Sequence, residues 1–514
     1  MIRSFVTVST GTLASRLLGF ARDAMVAALL GAGPVADAFL VAFQLVNVVR
    51  RLLTEGALNN ALVPAWLSVK DAKGPVAAAA FAGRVLGTVS AALIVVTVVA
   101  GLLMPWIITA LAPGFAGEPT LHLAVNHARL MLPYLAFAGP ATVTMALLNA
   151  QARFALTAFA PLLFNGALIA VMIVLLFQRW DASDAALAIA TTVGIAGLLQ
   201  LFILILRSRG SHVATPLRVS FDSEMRGFLA KAIPGMVAGA GPQLLIVAGA
   251  IVASSSPSAV SWLYFANRLI ELPLGIVGVA VGAVLVPELA RAAHADDRST
   301  MTHAQSRGLE LAIGLALPAT LGLMALSAPV VRLLFEHGAF TTADTDGTAQ
   351  ALMWLALSLP AQVLIKALSP AFFARGDTTT PLWATLKGLV VTVISSIVLG
   401  RLFGVAGISV AVAFGAWSNA FALIRSGVTT FGFSIDTAAR RRMPRIVAAA
   451  LVMGGLLWLL VPLVHVWGGN AGLAHLLIVA LLIAGGMAIY GLFLALLGVI
   501  SWADAVNALR QGRA

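Results

Sequence analysis

The sequence predicts an all-α polytopic membrane protein with fourteen transmembrane helices. Composition is the first observation behind this prediction. The chain has 514 residues, of which 60% are hydrophobic and only 10% are charged, whereas soluble domains carry about 25% charged residues. The second observation is the length of the apolar runs, which reach the roughly 20 residues that a helix needs to cross a bilayer. A β-barrel would instead show alternating segments of about ten residues.

The predicted spans follow one another with short loops between them. They cover residues 5–30, 35–69, 77–106, 121–150, 158–178, 184–206, 226–255, 259–290, 307–335, 348–374, 381–400, 404–425, 445–466 and 473–500. Turn signals such as Gly31 to Pro34 separate them. We interpret the N-terminal apolar run as the first helix, because no small-residue cleavage site of a signal peptide follows it.

Loop charges predict the orientation of these spans. Lysines and arginines in the loops concentrate on the side that holds the N-terminus, and only Arg179, Arg332 and Arg401 fall on the other side. This is the positive-inside pattern, and it predicts that both termini are cytoplasmic. It also explains the net charge of +12 without nucleic acid. The absence of cysteine excludes disulfides, a thiol catalyst and a zinc–thiolate site.

Landmarks of the first half recur in the second half at nearly one offset of about 224 residues. They are Pro64 and Pro287, Pro105 and Pro329, Gly114 and Gly338, Arg153 and Arg375, and Pro161 and Pro381. Because each copy holds six spans, both copies enter the membrane from the same side and form a parallel repeat. We predict an N-lobe at 1–206, a cytoplasmic linker at 207–225, a C-lobe at 226–430 and two additional helices at 431–514. Two lobes around a central site are typical of a transporter that works by alternating access.

Ionisable residues cluster in the first two spans, between Ser15 and Pro64. They are Arg16, Arg22, Asp23, Asp37, Arg50, Arg51 and Glu55. A charge at bilayer depth is costly, so such residues usually face a water-filled cavity or a partner. The guanidinium group binds phosphate oxygens through two parallel hydrogen bonds and stays charged when partly desolvated. We therefore predict an arginine site for an anionic ligand, and a diphosphate suits it better than a cation or a neutral sugar.

Local ion pairs are the alternative for some of these arginines. Arg51 and Glu55 are spaced i,i+4, and Arg268 and Glu271 are spaced i,i+3, so each pair can form on one helix face. Arg50 points about 100° away from Arg51 around the helix and lacks that partner, which favours a ligand role.

Two further interpretations concern the first helix. Arg16 and Asp23 are seven residues apart and share a face, so they can pair. A bend at Gly19 would bring the guanidinium groups of Arg16 and Arg22 into one cavity.

Acidic residues admit two roles, charge balance or gating and ion coupling. Charge balance for nearby arginines is the favoured role, and the gating or coupling candidates are Asp23, Asp37, Glu55 and Glu271. The histidines lack the spacing of a metal site, and the chain has no Walker sequence for ATP. We therefore expect no catalytic residue, no metal and no cofactor.

Several motifs resemble the MurJ (MviN) lipid II flippases of the multidrug/oligosaccharidyl-lipid/polysaccharide exporter superfamily. They are Arg16-Leu-Leu-Gly-Phe-Ala-Arg-Asp23, Asp37-Ala-Phe39, Asn47-Val-Val-Arg-Arg51, Glu55-Gly56-Ala57, Val63-Pro64, Ala112-Pro-Gly-Phe115, Ala160-Pro161 with Asn165, Phe335-Glu-His-Gly-Ala-Phe340 and Arg375-Gly-Asp-Thr378. The resemblance runs from residue 3 to about residue 500, and the block 15–64 is its most specific part.

The resemblance implies transport of undecaprenyl-diphosphate-linked peptidoglycan precursor from the inner to the outer leaflet of the bacterial inner membrane. Carried over by motif, Arg16, Arg22, Arg50 and Arg268 would bind the diphosphate and sugars in a central cavity. Asp37 and Glu55 would belong to the functionally sensitive acidic residues, and the last two helices would hold the lipid tail. Membrane potential or a cation would drive transport, and the cell-wall synthesis machinery would supply protein partners.

Two rival functions remain open at this point. Another exporter of the superfamily, for polysaccharide units or cationic drugs, shares the architecture, although arginines at the centre disfavour cationic drugs. A polyprenyl-linked glycosyltransferase would need a sizeable extramembrane loop with paired carboxylates, and the predicted outer loops are short.

Overall fold

The computed structural model describes residues 2–54, 57–151, 154–208, 217–295, 298–373, 375–462, 464 and 472–499. Helices make up the regular elements over these ranges, which confirms the predicted all-α class. In chain order they are α1 (Ile2–Leu30), α2 (Pro34–Thr54), α3 (Ala57–Leu111), α4 (Pro119–Met131), α5 (Pro133–Ala150), α6 (Phe154–Gln178), α7 (Ala182–Ser208), α8 (Ser223–Gly239), α9 (Gly241–Ala253), α10 (Ala259–Ala295), α11 (Arg298–Ala325), α12 (Ser327–Phe335), α13 (Thr342–Leu355), α14 (Leu359–Phe373), α15 (Thr379–Phe431), α16 (Thr437–Leu460) and α17 (Leu473–Leu496).

Exposed apolar side chains form continuous stripes on the long helices. On α15 the side chains of Val390, Ile394, Val398 and Leu402 follow one another four residues apart, and each is more than half exposed. An apolar stripe of this kind is unfavourable in water and suits the hydrocarbon core of a bilayer. Among the described residues, nine helices are long and apolar enough to cross a membrane, or ten with the bent pair α8–α9. The protein is a multi-pass membrane protein, and the total of fourteen spans stays a prediction.

Helix ends differ from the predicted spans at several places. The predicted span 35–69 is covered by α2 up to Thr54 and by α3 from Ala57, and residues 55–56 between them lie outside the described residues. Helix α3 then continues to a break at Gly74, whose φ is 83°. The predicted span 121–150 agrees with one candidate span, Pro119–Ala150, which α4 and α5 form together. The helical hydrogen bonds are interrupted before Pro133, which lacks the N–H that would continue the first helix.

Helix α15 contains both predicted spans 381–400 and 404–425. It breaks at Gly404, where φ is 59°, and its two halves pack against each other. A Cβ atom on Gly415 would overlap the hydroxyl group of Thr392, so the backbones approach closely at this point. The element is therefore a helical hairpin, in agreement with two neighbouring spans.

The chain forms two compact units. Unit 1 comprises Met1–Tyr264 and His337–Asp344, and unit 2 comprises Phe265–Glu336 and Thr345–Ala514. One boundary between them falls within α10, between Tyr264 and Phe265. The division into two six-helix lobes with two additional helices stays a prediction.

One buried cluster of unit 1 lies between α3, α5 and α8. Buried side chains from all three helices meet there, among them Phe81, Leu147 and Phe228. The segment before α8 lies against α3. The hydroxyl group of Thr88 on α3 donates to the carbonyl oxygen of Ser220 (3.3 Å) and accepts from the N–H of Ser220 (3.1 Å). This segment, predicted as part of a linker, is thus fixed against the first half of the chain.

In unit 2, α17 packs against α11, α12 and α16. Leu326, Met453, Leu457 and Leu482 share one buried cluster. The hydroxyl group of Tyr490 donates to the carbonyl oxygen of Gly314 at 2.7 Å. The last described helix is therefore held by apolar contact and by a specific hydrogen bond.

Candidate functional site

An arginine and an aspartate adjacent in sequence form the centre of the site, deep in α1. Arg22 is 5% exposed and Asp23 is fully buried. Both Nε (2.9 Å) and Nη2 (2.7 Å) of Arg22 donate to Oδ1 of Asp23. The cost of removing two charges from water is offset only by such a close, hydrogen-bonded pairing. The structure therefore holds a fixed guanidinium group inside unit 1.

The third nitrogen of Arg22 is held by helix α6. Nη1 donates to Oδ1 of Asn165 at 3.0 Å, and Nδ2 of Asn165 donates to the carbonyl oxygen of Ser15 at 3.2 Å. This amide joins α6 to α1 and fixes the plane of the guanidinium group. The contact orients Arg22 as well as neutralising it.

Aromatic rings cover the guanidinium group. Its central carbon lies 4.9 Å from the ring centre of Phe43 and 6.0 Å from that of Phe164. A guanidinium group over an aromatic face gains cation–π attraction, and more so when it is desolvated. The guanidinium group of Arg22 thus has hydrogen-bond partners in its plane and aromatic rings next to it. An anionic ligand would have to compete with Asp23 for its N–H groups.

Helix α10 reaches the same pair through Tyr264, whose hydroxyl group donates to Oδ1 of Asp23 at 3.2 Å. A narrow pocket adjoins this contact. It is lined by Arg22, Asp23, Val26, Phe39, Leu40, Phe43, Leu168, Ile189 and Tyr264. The lining is apolar apart from the ion pair and the tyrosine hydroxyl, which favours strong electrostatic interactions inside it.

The other predicted ligands lie in different surroundings. Arg16 is exposed, whereas Arg50 is half-buried, with its Nε 3.3 Å from Oδ1 of Asn47. Arg268 lies in unit 2 and pairs with Glu271 (Nη1 to Oε2, 2.6 Å), which confirms the expected i,i+3 pair. Assignment of the arginines as ligands stays a prediction.

Two interpretations of α1 need correction. The structure pairs Asp23 with its neighbour Arg22, while Arg16 is exposed, so the interpretation of an Arg16–Asp23 pair was wrong. Helix α1 is continuous through Gly19, and Arg16 is exposed whereas Arg22 is buried, so the two guanidinium groups do not share one buried cavity. Burial explains why Asp23 pairs with Arg22 and not with Arg16, because a carboxylate with no access to water pairs with the nearest buried cation. The predicted Arg51–Glu55 pair cannot be placed, because Glu55 lies outside the described residues.

Asp37, a gating candidate, caps a helix other than its own. Its carboxylate accepts from the N–H of Ser258 (2.9 Å) and from the N–H (2.9 Å) and hydroxyl group (2.5 Å) of Ser261. These residues form the start of α10, where backbone N–H groups have no partner within the helix. Asp344 lies close by and accepts from the indole of Trp262 at 3.4 Å.

Sequence reasoning did not assign a role to Asn165, Tyr264 or the two phenylalanines. Asn165 is an isolated amide in the apolar segment Phe154–Gln178, and that isolation was the available signal. Tyr264 had none, because its partner is 241 residues away in the chain. No cluster of three or more potential metal ligands occurs among the residues that the structure describes.

Comparisons with known proteins fit this architecture. The family model described as "Lipid II flippase MurJ" matches residues 26–478. A probable lipid II flippase MurJ of Rhizobium meliloti (strain 1021) is 37% identical over 95% of this chain and 92% of its own length. A lipid II flippase MurJ of Burkholderia cenocepacia is 33% identical over 89% of each chain.

Solved structures show the same fold. A lipid II flippase MurJ in an inward closed conformation superposes with a TM-score of 0.79 at 22% identity, over 98% of this chain and 100% of that one. An inward-facing multidrug resistance MATE family transporter of the MOP superfamily reaches a TM-score of 0.66 at 16% identity, over 86% and 98% of the two chains. From the family model and the relatives together, the chain belongs to the lipid II flippase MurJ family.

Proposed function

We propose that this chain is a lipid II flippase of the bacterial inner membrane, with both termini in the cytoplasm. It moves the undecaprenyl-diphosphate-linked peptidoglycan precursor from the cytoplasmic to the periplasmic leaflet by alternating access. The observation that carries the proposal is the match to the family over residues 26–478. Relatives of the same name align over nearly their whole length, so the resemblance extends beyond a shared domain.

Chemistry at Arg22 supports an anionic substrate. The guanidinium group is buried, oriented by Asn165 and covered by two rings, so an anion that reaches it would interact strongly in a medium of low dielectric constant. A diphosphate offers several oxygens to the guanidinium fork and competes well with a single carboxylate. Arg16, Arg50 and Arg268 are the further ligands that we propose. The reaction forms and breaks no covalent bond, in keeping with a transporter family.

Energy for transport comes, in this proposal, from the membrane potential or from a cation. A diphosphate carries negative charge, and a transported cation carries positive charge. The movement of either across the membrane responds to the membrane potential, which changes the free energy by about 2.3 kcal/mol per elementary charge per 100 mV. Two separate transport measurements distinguish these energy sources: one dissipates the membrane potential, and the other replaces sodium in the medium. Partners in the cell-wall synthesis machinery are part of the proposal.

The test is complementation of cells depleted of their own flippase, with a probe for lipid II in the outer leaflet. The variants are Arg16→Ala, Arg22→Lys, Arg50→Ala and Arg268→Ala, with the abundance of each measured. Lysine keeps the charge at position 22 but loses the fork. We expect rescue by the wild type and loss of rescue in each variant at normal abundance. Arg401→Ala, at an exposed arginine on α15, is the matched control and should rescue.

Failure of a well-expressed wild type to rescue would overturn the proposal and favour another polyprenyl-linked polysaccharide or multidrug exporter of the same superfamily. Rescue by every variant would retain the function and refute the assignment of the arginines.

A further inference from the structure

Tyr134 is a buried tyrosine of unit 1 whose hydroxyl group has no partner in the described part of the chain. The chain has three tyrosines, and the hydroxyl groups of Tyr264 and Tyr490 each donate a hydrogen bond within the protein. The hydroxyl group of Tyr134 makes none to the residues that the structure describes, although the residue is only 2% exposed. Buried tyrosines usually find a partner for this group. The exception therefore points to a partner from outside the chain.

Packing against α7 fixes the position of Tyr134. The residue is the second of α5, directly after Pro133, where the helical hydrogen bonds are interrupted. A Cβ atom on Gly197 would lie only 2.8 Å from Cδ2 and 3.1 Å from Cα of Tyr134. Because glycine has no side chain, the tyrosine can pack directly on the backbone of α7. The ring is thus held by backbone, which gives way less readily than a flexible side chain.

The ring of Tyr134 adjoins the aromatic cover of Arg22. It contacts the ring of Phe164 edge to face, with ring centres 5.2 Å apart and an angle of 62° between the planes. Phe164 in turn lies 6.0 Å from the central carbon of Arg22. The charges of Arg50 and Arg22 both reach the phenol group. Tyr134 therefore shares its surroundings with two of the arginines that we propose as ligands.

An anion is the chemical class that suits a hydroxyl group in these surroundings. Neighbouring guanidinium groups repel a cation and attract a negatively charged acceptor, and they do so strongly in a medium of low dielectric constant. The tyrosine hydroxyl can donate one hydrogen bond to such an acceptor. A phosphate oxygen bound by a guanidinium group has further lone pairs that can accept this hydrogen bond. An apolar ligand would leave the hydroxyl group without a partner.

We infer that Tyr134 is a further ligand of the transported lipid: its hydroxyl group donates a hydrogen bond to a phosphate oxygen that Arg50 and Arg22 also bind. Tyr134 and Arg22 are both shielded in this conformation, so the opening that admits an anion to Arg22 also admits it to the hydroxyl group. The inference rests on the proposed function, because it takes the diphosphate of lipid II as the anion. It adds a neutral hydrogen-bond donor to a set of charged ligands.

Tyr134→Phe tests the contact, because it removes the hydroxyl oxygen and keeps the ring. The full-length protein is purified into lipid nanodiscs, and the dissociation constants of lipid II and of undecaprenyl diphosphate are measured. We expect about tenfold weaker binding of both lipids, since a hydrogen bond to a charged group is lost. The free energy of unfolding by sodium dodecyl sulfate in mixed micelles should not fall, because no group of the described protein loses a partner.

Thr88→Val is the matched control in unit 1. It also removes one hydroxyl group and nearly preserves the shape of the side chain, but this hydroxyl group binds the backbone of Ser220. The control should lower the free energy of unfolding and leave both dissociation constants unchanged. The two variants are thus expected to differ in opposite ways, which a general disturbance of the fold would not produce.

Unchanged dissociation constants in Tyr134→Phe would overturn the inference. Weaker binding of lipid II alone would also overturn it, because the partner of the hydroxyl group would then be in the sugars or the peptide. A wild type that binds undecaprenyl diphosphate but not lipid II would refute the proposed function. In that case, loss of diphosphate binding in Tyr134→Phe would still support the contact.

Discussion

Asp37 and Ser261 are joined by two hydrogen bonds, from the backbone N–H at 2.9 Å and from the hydroxyl group at 2.5 Å. The carboxylate lies in the first turn of α2 and caps the start of α10. An N-terminal cap satisfies free N–H groups and places negative charge at the positive end of the helix. The acidic residue that the sequence presented as a gating candidate is therefore also a fixed contact between distant helices.

Replacing Asp37 should destabilise the protein more than replacing Ser261. Asp37→Ala removes all the acceptors of the cap and leaves the N–H groups of Ser258 and Ser261 without them, for which we expect a loss of about 2 kcal/mol. Ser261→Ala keeps the backbone hydrogen bond and should cost about 1 kcal/mol. Unfolding by sodium dodecyl sulfate in mixed micelles measures both free energies. An equal cost for the two variants would contradict the capping role of Asp37.

Arg22 and Asp23 should depend on each other for stability. Arg22→Ala leaves the buried carboxylate without this partner, and breaking a buried pair costs about 3–5 kcal/mol. The double variant with Asp23→Ala removes both charges, so its cost should be lower than the sum of the single costs. The same unfolding assay completes this double-mutant cycle, and additive costs would show that the two side chains are not coupled.

Asp222 should make the junction between α3 and α8 sensitive to acid. The N–H of Met225 donates to its carboxylate at 2.8 Å, and this hydrogen bond, with help from Ser220 and Arg84, lowers the pKa of Asp222 below its ordinary value of 3.8. A lowered pKa in the folded state gives stability that is present above the ordinary pKa and is lost as the pH falls through the lowered one.

Asp222→Asn tests this dependence, because asparagine still caps a helix but carries no charge. The difference in melting temperature between wild type and variant should be constant near neutral pH and shrink as the pH falls below about 4. A difference that persists unchanged at the lowest pH would show that the charge contributes nothing.

Tyr490 should stabilise the docking of α17 on α11. Tyr490→Phe removes the hydrogen bond to the carbonyl oxygen of Gly314, and we expect a loss of about 1 kcal/mol. Leu481→Ala is the control on the exposed side of the same helix, where its side chain is 71% exposed, and it should change the stability little. A neutral Tyr490→Phe would mean that apolar contact alone holds α17.

The sequence by itself determined the helical membrane class. A membrane helix satisfies its backbone hydrogen bonds within its own segment, and glycine–proline turns mark where that segment ends. The helices can therefore be predicted from apolar runs without knowledge of the helices that pack around them. It also indicated the Arg268–Glu271 pair as one possibility, because both residues lie within one helical turn, and the structure shows that pair. The same local rule failed for Asp23, whose pairing with Arg22 depends on which side of α1 is buried.

Only the tertiary structure decided which distant groups meet. Asn165 reaches Arg22 across 143 residues, and Tyr264 reaches Asp23 across 241. Asp37 binds Ser261 across 224 residues, which the sequence offset alone does not require. These contacts depend on how helices pack, and packing is set by the summed burial of many side chains and not by the spacing of any one motif. The sequence therefore identified the costly charges, and the fold assigned their partners.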